Sequence, residues 1–224
     1  MAFPDTWTDR SATLDQWDDI GREYGLHELQ LRALDKNHRL PQAVESDDWL
    51  VVNFLAPRIR NGVLKYDRLS VLVNKKHVVT IHEPDAPIMD ELRERLALRR
   101  HIEDSPTGVL ALVADVVTEC FVPVLDYVDD IVDKVEDTII KRPTDKQLRQ
   151  LFRYKNLLVD LRRVVLPTTA VLDALADGRY DMVDPKYAMY LRDSYNYSWR
   201  AREQIDTLRD MLSSALDTYL TMAS

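Results

Sequence analysis

The residues best suited to chemistry in this sequence are acidic side chains at close spacing in one predicted helix. They are Asp126, Asp129, Asp130, Asp133, Glu136 and Asp137. The next predicted helix carries basic side chains instead, namely Lys146, Arg149, Arg153, Lys155, Arg162 and Arg163. Charge pairing across a helical hairpin would account for both sets, at about 0 to 1 kcal/mol for each exposed pair. Alternatively, an excess of carboxylates attracts hydrated cations. The sequence leaves both interpretations open.

The side chains used most often in catalysis form no recognisable constellation. None of the five histidines is paired with another at the spacing of metal ligands on a helix: His27, His38, His77, His82 and His101. The five glycines build neither a phosphate-binding loop nor a nucleophile elbow. The single cysteine, Cys120, lies among apolar residues, which predicts a buried structural thiol. We therefore predict that the protein is not an enzyme.

The composition narrows the classes of partner. A formal net charge of -8 argues against binding to a nucleic-acid backbone and is compatible with cations. One cysteine cannot form an internal disulfide, which favours a reducing compartment. The longest apolar run, Val109 to Ala114, is far shorter than the ~18 residues of a membrane span, and the N-terminus lacks the pattern of a secretory signal. The sequence thus predicts a soluble chain.

Strand patterns are concentrated in the first half of the chain. The apolar stretch Trp49–Leu55 indicates a buried strand. Asn61 and Gly62 predict a hairpin turn before a strand over Val63–Val73, and a second turn leads into Val78–Ile81. These three strands are expected to form an antiparallel meander. Short helices are predicted before Gly25, over residues 29–34 and after Pro87.

The second half of the chain has helical periodicity throughout. One helix is predicted from Pro106 to about position 140, and the capping pair Thr144 and Gln147 begins the next, which ends at Gly178. These two helices are predicted to form an antiparallel hairpin. Prolines inside them are expected to bend the axes without breaking the helices.

A last helix is predicted to begin at Asp184 and Pro185 and to continue to the final residue. It would be about 60 Å long at 1.5 Å per residue, so we expect it to project from the domain as a stalk. Leu208, Leu212 and Leu216 would face inward. No stop signal closes this helix, which predicts that it is severed from a longer one.

These patterns together predict an α+β fold. A small antiparallel-sheet part is expected over residues 1–104, a long helical hairpin over 105–183 and a stalk helix over 184–224.

Seven segments along the chain together form a pattern that is typical of one protein family. They are Ala114–Glu119, Asp129–Asp133, Lys141–Pro143, Asn156–Pro167, Tyr190–Tyr195, Leu208–Leu212 and Leu216–Leu220. These segments resemble the helical hairpin and the long stalk helix of the CorA family of Mg²⁺ channels. The resemblance is distributed over nearly the whole chain from Tyr24 onward, which makes it more specific than one short motif.

The resemblance implies a cytoplasmic ion-sensing and gating domain at the cytoplasmic face of the cell membrane. Family members are homopentamers whose stalk continues into the first of two membrane helices. A Gly-Met-Asn motif that selects Mg²⁺ or another divalent cation would lie beyond Ser224. The membrane part would therefore follow this chain, and some strands that precede Trp7 in the family would be missing.

The resemblance also implies regulatory metal sites between neighbouring subunits that favour the closed channel. By position, the candidate ligands are Asp193, Asp115 and Asp35. The family's adjacent acidic pair falls instead at Arg32 and Ala33, and a further stalk acid falls at Asn196. An altered, shifted or weak sensor is therefore expected.

Two other functions remain open at this stage. The long helix could belong to a helical scaffold or adaptor protein that binds a partner helix. A zinc-transporting relative on the same fold would differ in its ion and in the direction of transport.

Overall fold

The computed structural model describes residues 6–38, 40–46, 48–98, 105–139 and 143–223. Five strands form one sheet: β1 (Trp7–Ser11), β2 (Gln42–Ser46), β3 (Trp49–Arg60), β4 (Val63–Val73) and β5 (Val78–His82). The helices are α1 (Trp17–Glu23), α2 (Glu28–Leu34), α3 (Ile88–Leu98), α4 (Pro106–Glu119), α5 (Phe121–Ile139), α6 (Asp145–Ala176) and α7 (Ala188–Ala223). Short 3-10 turns precede α1 and α7. The predicted α+β class is confirmed.

The strand order in the sheet is β1-β5-β4-β3-β2. The predicted meander of β3, β4 and β5 is confirmed as its centre. The sequence did not predict the two edge strands, of which β1 pairs with β5 in parallel and β2 pairs with β3 antiparallel. Helices cover both faces of the central strands, which explains why these strands are nearly continuous apolar runs.

Alternate residues of β3 reach two different cores. Val51 packs with α1 and α2 on one face of the sheet, around the fully buried Trp17. Leu50, Val52 and Phe54 pack with α3 and α4 on the other face. A third cluster of buried side chains lies between α5, α6 and α7. The sheet is therefore the middle layer at one end of the molecule, and the helical bundle forms the other end.

The β3–β4 hairpin connects these two ends. Its turn is formed by Asn61 and Gly62, both with positive φ, as the sequence predicted. The strands continue past the sheet, and Leu55 and Ile59 join the buried cluster of the bundle. Pro57 lies in this outer part, where β3 has no neighbour on the β2 side, so the missing N–H of proline interrupts no ladder there.

A single turn residue, Cys120, divides the first hairpin helix into α4 and α5, but its backbone stays helical with φ -62° and ψ -19°, so the helix over Pro106–Ile139 is not broken, as predicted. The turn at Cys120 separates α4 from α5, and the Cys120 N–H is shared between the carbonyl oxygens of Val116 and Val117 at 3.3 Å. Pro123 lies three residues later and provides no N–H for the carbonyl at position 119, which weakens the helix at this point. Pro167 lies inside an uninterrupted α6, as expected.

Helix α7 packs along the bundle and does not project as a free stalk, which corrects a second expectation. Its buried side chains continue as far as Tyr219, whose hydroxyl lies 3.5 Å from Oδ1 of Asp145 at the start of α6. Leu208 and Leu212 are each 2 % exposed, and Leu216 packs against the same cluster, so the inward face was predicted correctly. The helical hairpin formed by α5 and α6 therefore packs against α7 over almost the full length of α7.

One stretch in the described part of the chain, Pro106–Ile139, is long and apolar enough to cross a membrane, with a mean hydropathy of 2.0 in its most apolar window. The sequence analysis ended this apolar run at Asp115. The carboxylate of Asp115 is held by Arg95 at the surface, however, and the apolar face continues beyond it. Because 72 % of the window is buried inside the fold, its hydropathy is explained by packing in the core.

Of the two predicted domain boundaries, only the one at residue 184 lies among the described residues. The boundary at residue 104 lies outside the described residues, as do His101 and the hairpin residues Lys141 and Arg142. The boundary at residue 184 coincides with the Asp184 cap, whose side chain accepts a hydrogen bond from the Lys186 N–H at 2.9 Å. The division into three parts stays a prediction.

Close packing of α1 on α2 depends on Gly21. A Cβ at this position would lie 2.7 Å from Cδ2 of Leu31 and 2.8 Å from Cδ1 of Leu34. We expect Gly21→Ala to lower the free energy of unfolding by about 1 kcal/mol, because overpacking outweighs the gain in helix propensity. Urea denaturation measures the change. Asp19→Ala, at an exposed position of the same helix, is the control and should be neutral or slightly stabilising; equal effects would contradict the assigned contact.

Candidate functional site

Two continuous lines of residues run along opposite sides of α7. The buried line consists of Leu191, Ser194, Ser198, Ala201, Ile205, Leu208, Leu212, Ala215 and Tyr219. Each member of the exposed line lies two residues further on: Asp193, Asn196, Arg200, Glu203, Thr207, Asp210, Ser214, Asp217 and Thr221. Two residues correspond to about 200° of rotation on a helix, so the lines lie on opposite sides. We call the exposed line the polar seam.

Both lines alternate between spacings of three and four residues, which is an average of 3.5. This repeat keeps a contact on one side of a helix over many turns and favours packing at a small crossing angle. The buried line uses it to follow α5 and α6. The polar seam has the same repeat and is exposed along its length, and its last five members are two aspartates and three small hydroxyl residues. The chemistry of this surface is that of oxygen ligands for hydrated cations.

The acidic side chains of α5 form a second cation-attracting surface. Within the part of the chain that the structure describes, no ion pair joins these carboxylates to α6, so the predicted charge pairing across the hairpin is not observed there. The α6 cations point elsewhere. Arg162 pairs with Asp206 of α7 at 2.9 Å, and Arg153 donates to the Gly62 carbonyl oxygen at the tip of the β3–β4 hairpin.

Asp193 is the most accessible of the predicted metal ligands. It is exposed on α7 as the first member of the polar seam. The neighbouring Arg192 is engaged with Asp173 and Asp177 at the end of α6, which leaves the Asp193 carboxylate uncompensated by that guanidinium.

Asp115, unlike Asp193, is already paired with a guanidinium group, that of Arg95. Nη1 of Arg95 is 3.2 Å from Oδ2 of Asp115, and the same guanidinium contacts Glu91 and Glu119. The Glu119 carboxylate, followed by Glu91, raises the pKa of Arg95 despite its partial burial. A metal ion at Asp115 would have to compete with this guanidinium.

Asp35 follows α2, where its Oδ1 accepts a hydrogen bond from the Asn37 N–H at 2.7 Å. The two positions before it explain why no acidic pair occurs there. Ala33 is 1 % exposed and its carbonyl oxygen accepts hydrogen bonds from Asn53 and Arg68, so a carboxylate at this position would be buried. Arg32 is exposed and pairs with Glu28 at 3.2 Å.

Asp193, Asp115 and Asp35 thus lie on three different elements and do not meet within one chain. Among the described residues, no group of three histidine, cysteine or carboxylate side chains is close enough to hold a metal ion. Cys120 is half-buried, and burial raises the pKa of its thiol to about 12, which keeps it protonated and unreactive.

A polar cleft of about 760 Å³ lies between the end of β3 and the first turns of α3. It contains Arg58 and Arg93, but Arg58 pairs with Asp67 at 2.7 Å and Arg93 pairs with Asp9 at 2.6 Å. Asp85 and Asp90 also line it. Arg60 is the third guanidinium group that lines the cleft, so two of the three are already paired with carboxylates.

The sequence analysis missed the polar seam and the carboxylate cluster around Arg95. The seam was visible in the sequence, because its members follow the apolar line at a constant offset of two residues. Arg95 gave no such signal, since its partners Asp115 and Glu119 are brought to it by the packing of α3 on α4.

Known structures show the same fold. The soluble domain of CorA from Methanocaldococcus jannaschii has a TM-score of 0.81 and 15% identity, with 96% of this chain and 88% of that chain covered. The ZntB cytoplasmic domain from Vibrio parahaemolyticus has a TM-score of 0.78 and 11% identity, with 96% and 86% covered. The chain therefore has the fold of the soluble domain of CorA and of the cytoplasmic domain of ZntB.

The sequence comparisons identify the family. Residues 6–224 match the family described as CorA-like Mg2+ transporter protein, and the chain belongs to this family. The cobalt/magnesium transport protein CorA of Thermotoga maritima is 24% identical over 209 residues, which are 92% of this chain and 60% of that protein. The chain thus spans about three fifths of the length of this curated relative.

Proposed function

We propose that this chain is the cytoplasmic ion-sensing and gating domain of a homopentameric channel for Mg²⁺ or another divalent cation, and that it has no enzymatic activity. The polar seam of α7 is the observation that carries the proposal. One side of α7 packs against its own bundle, and the other presents a regular exposed line in which seven of nine side chains are carboxylates or hydroxyls, the exceptions being Asn196 and Arg200. Membership in a family of Mg²⁺ transporters supports this interpretation.

In a ring of identical subunits, the polar seams would face a common axis. Each seam position would then occur once per subunit, so Asp210 and Asp217 would form rings of carboxylates and Ser214 a ring of hydroxyls. Such rings attract a divalent cation while leaving its water shell in place, which suits Mg²⁺ because it loses water reluctantly. The membrane-spanning part would be provided by sequence beyond residue 224.

Regulation would come from metal ions bound between neighbouring subunits in the closed arrangement. Asp193 is the best candidate ligand, because its exposed carboxylate can be approached from another subunit. Asp115 would contribute less while Arg95 occupies it, and Asp35 would take part through the surface at the end of α2. Without acids at positions 32 and 33, we expect such sites to be weak.

Zinc transport is a second candidate function, since the ZntB cytoplasmic domain has a closely similar fold. The described residues favour Mg²⁺ over Zn²⁺ as the ion at the seam. The nine side chains of the polar seam include no histidine or cysteine, and its last five offer oxygen atoms only, whereas zinc sites in proteins are usually built with histidine or cysteine.

Uptake measurements on the complete protein in proteoliposomes test this proposal. We expect Asp210→Lys to reduce the initial rate of Mg²⁺ uptake, because a ring of ammonium groups on the axis repels divalent cations. Asp130→Lys makes the same charge change on the outer side of α5 and is the matched control. Equal uptake by the two variants would remove the seam from the ion path, and a complete protein without any divalent-cation uptake would favour the scaffold alternative.

A further inference from the structure

A cluster of charged groups at the edge of the sheet, away from α7, joins β1 to β5 and α3. The carboxylate of Asp9 on β1 is its centre. The Thr80 hydroxyl donates to Asp9 Oδ1 at 2.7 Å, and Nη2 of Arg93 lies 2.6 Å from Oδ2. Nε2 of His82 lies 3.2 Å from Oδ1 in an ion contact. The Thr80 oxygen in turn accepts a hydrogen bond from the Trp7 indole at 3.0 Å.

His82 is held in a geometry that suits its protonated form. It is 2 % exposed, and its Nδ1 lies 2.7 Å from the carbonyl oxygen of Glu83. Because a carbonyl oxygen can only accept, Nδ1 carries a proton. The other ring nitrogen, Nε2, is buried 3.2 Å from the Asp9 carboxylate, and the contact is one of charge because its geometry is not that of a hydrogen bond. A proton on Nε2 makes this contact attractive, whereas a lone pair on Nε2 would face a negative charge.

The charged and polar groups around His82 also favour its protonated form. Burial by itself would lower the pKa of His82, but Asp9 and the Glu83 carbonyl outweigh it and raise the pKa above the usual value, with Arg93 opposing. Burial would likewise raise the pKa of Asp9, but His82, Arg93 and Thr80 lower it to about 2. The other charged groups in the cleft beside His82 are Arg58, Arg60, Asp85 and Asp90.

The edge strand β1 is joined to the rest of the sheet and to α3 by this cluster. It has five residues and pairs with β5 alone within the described sheet. Its one buried side chain, that of Trp7, packs in the main core, and Arg10 pairs with Glu23 at 2.9 Å. The contacts made by Asp9 add to this packing and to the β1–β5 ladder, and they are the part of the attachment of β1 that includes a histidine.

We propose that Asp9, His82 and Arg93 form a proton-controlled latch on β1, closed when His82 is protonated and loosened when it is neutral. The stabilising contribution of His82 is fully present below pH 6.5 and is lost as the pH rises through the higher value in the folded protein. Asp9 contributes above pH 3.8 and loses its contribution as the pH falls towards 2. The latch therefore responds to alkalinisation near neutral pH, while Arg93 and Thr80 keep β1 from detaching completely.

NMR on the 224-residue chain tests the latch. We expect the imidazole of His82 to titrate with a pKa above 6.5. We also expect the opening equilibrium of the Thr8 to Arg10 amides, after correction for intrinsic exchange, to rise from pH 6 to pH 9, because the contribution of protonated His82 is lost over this interval.

Two variants assign the effect to His82. His82→Gln should remove the pH dependence of β1 exchange, and His77→Gln, at an exposed position before the same strand, should retain it. A His82 pKa at or below 6.5, or β1 exchange that does not change with pH in the unmodified chain, would overturn the proposal. These two measurements decide the question even where His82→Gln does not fold.

Discussion

Replacing Leu212 with Asp is expected to unfold much of the helical bundle. Leu212 is 2 % exposed among side chains of α5, α6 and α7. Removing a buried leucine side chain costs about 2 to 5 kcal/mol, and a carboxylate without a partner in the same place adds a desolvation penalty. We therefore expect a loss of about 4 kcal/mol or more in the free energy of unfolding, a large share of the ~5 to 15 kcal/mol of a typical domain. Urea denaturation followed by circular dichroism measures it.

Ser214→Asp is the matched control for this experiment. It introduces the same residue two positions further on, on the exposed polar seam, and should change the free energy of unfolding by less than about 1 kcal/mol. Arg209 is less suitable as a control, because it is only partly exposed, contacts Asp206 at 3.3 Å and has a buried Nε. Similar losses for Leu212→Asp and Ser214→Asp would refute the assignment of the two sides of α7.

Replacing Asp193 with Ala is expected to make the complete channel less sensitive to cytoplasmic Mg²⁺. Mg²⁺ usually takes one or two carboxylates from a protein, so a site at a subunit boundary should be weak. At an ion concentration equal to the dissociation constant, one site stabilises the bound state by about 0.4 kcal/mol, and five equivalent sites by about 2 kcal/mol. Loss of all five would shift the closed-to-open equilibrium about thirtyfold, where the sites exist only in the closed arrangement.

The measurement is the inhibition of current by cytoplasmic Mg²⁺, with Glu94→Ala as the control. Glu94 is also an exposed carboxylate, but it lies on α3 and outside the proposed sites. An inhibition curve that is the same for Asp193→Ala and the unmodified channel would make Asp193 an ordinary solvent-exposed residue of the seam. Reduced sensitivity in both variants would point to the net charge of the domain as the cause.

The central strands and the long helices could be predicted because their signals are local. Asn61 and Gly62 specify a hairpin turn, and the Thr144 capping box is present, with the Thr144 N–H donating to Oε1 of Gln147 at 2.7 Å. The edge strands could not be predicted in this way. β1 has one buried apolar side chain, Trp7, and its extended form depends on pairing with β5, which is about 70 residues away in sequence.

The candidate site was predictable in part, for a related physical reason. Exposure of Asp193 and burial of Leu212 follow from helical periodicity alone. The environment of Asp115 does not, because Arg95 reaches it from another helix. Periodicity also predicts the length of a helix, but it does not predict which other helices pack against it. For this reason α7 was expected to project, although its buried line lies on α5 and α6.

The β3–β4 hairpin has a mechanical consequence. Its ladder runs from Leu50 paired with Val73 to Arg60 paired with Val63, about 35 Å in length. The root of this arm is inside the sheet, and its tip is fastened to α6 through Arg153 and the Gly62 carbonyl oxygen. Only the part from Leu55 to the turn extends past the sheet, about 20 Å, so a tilt of about 10° at the sheet would correspond to about 3.5 Å at the tip. Because this part is anchored in the sheet at one end and in the bundle at the other, we expect a rotation of the sheet and a displacement of the bundle to be coupled through it.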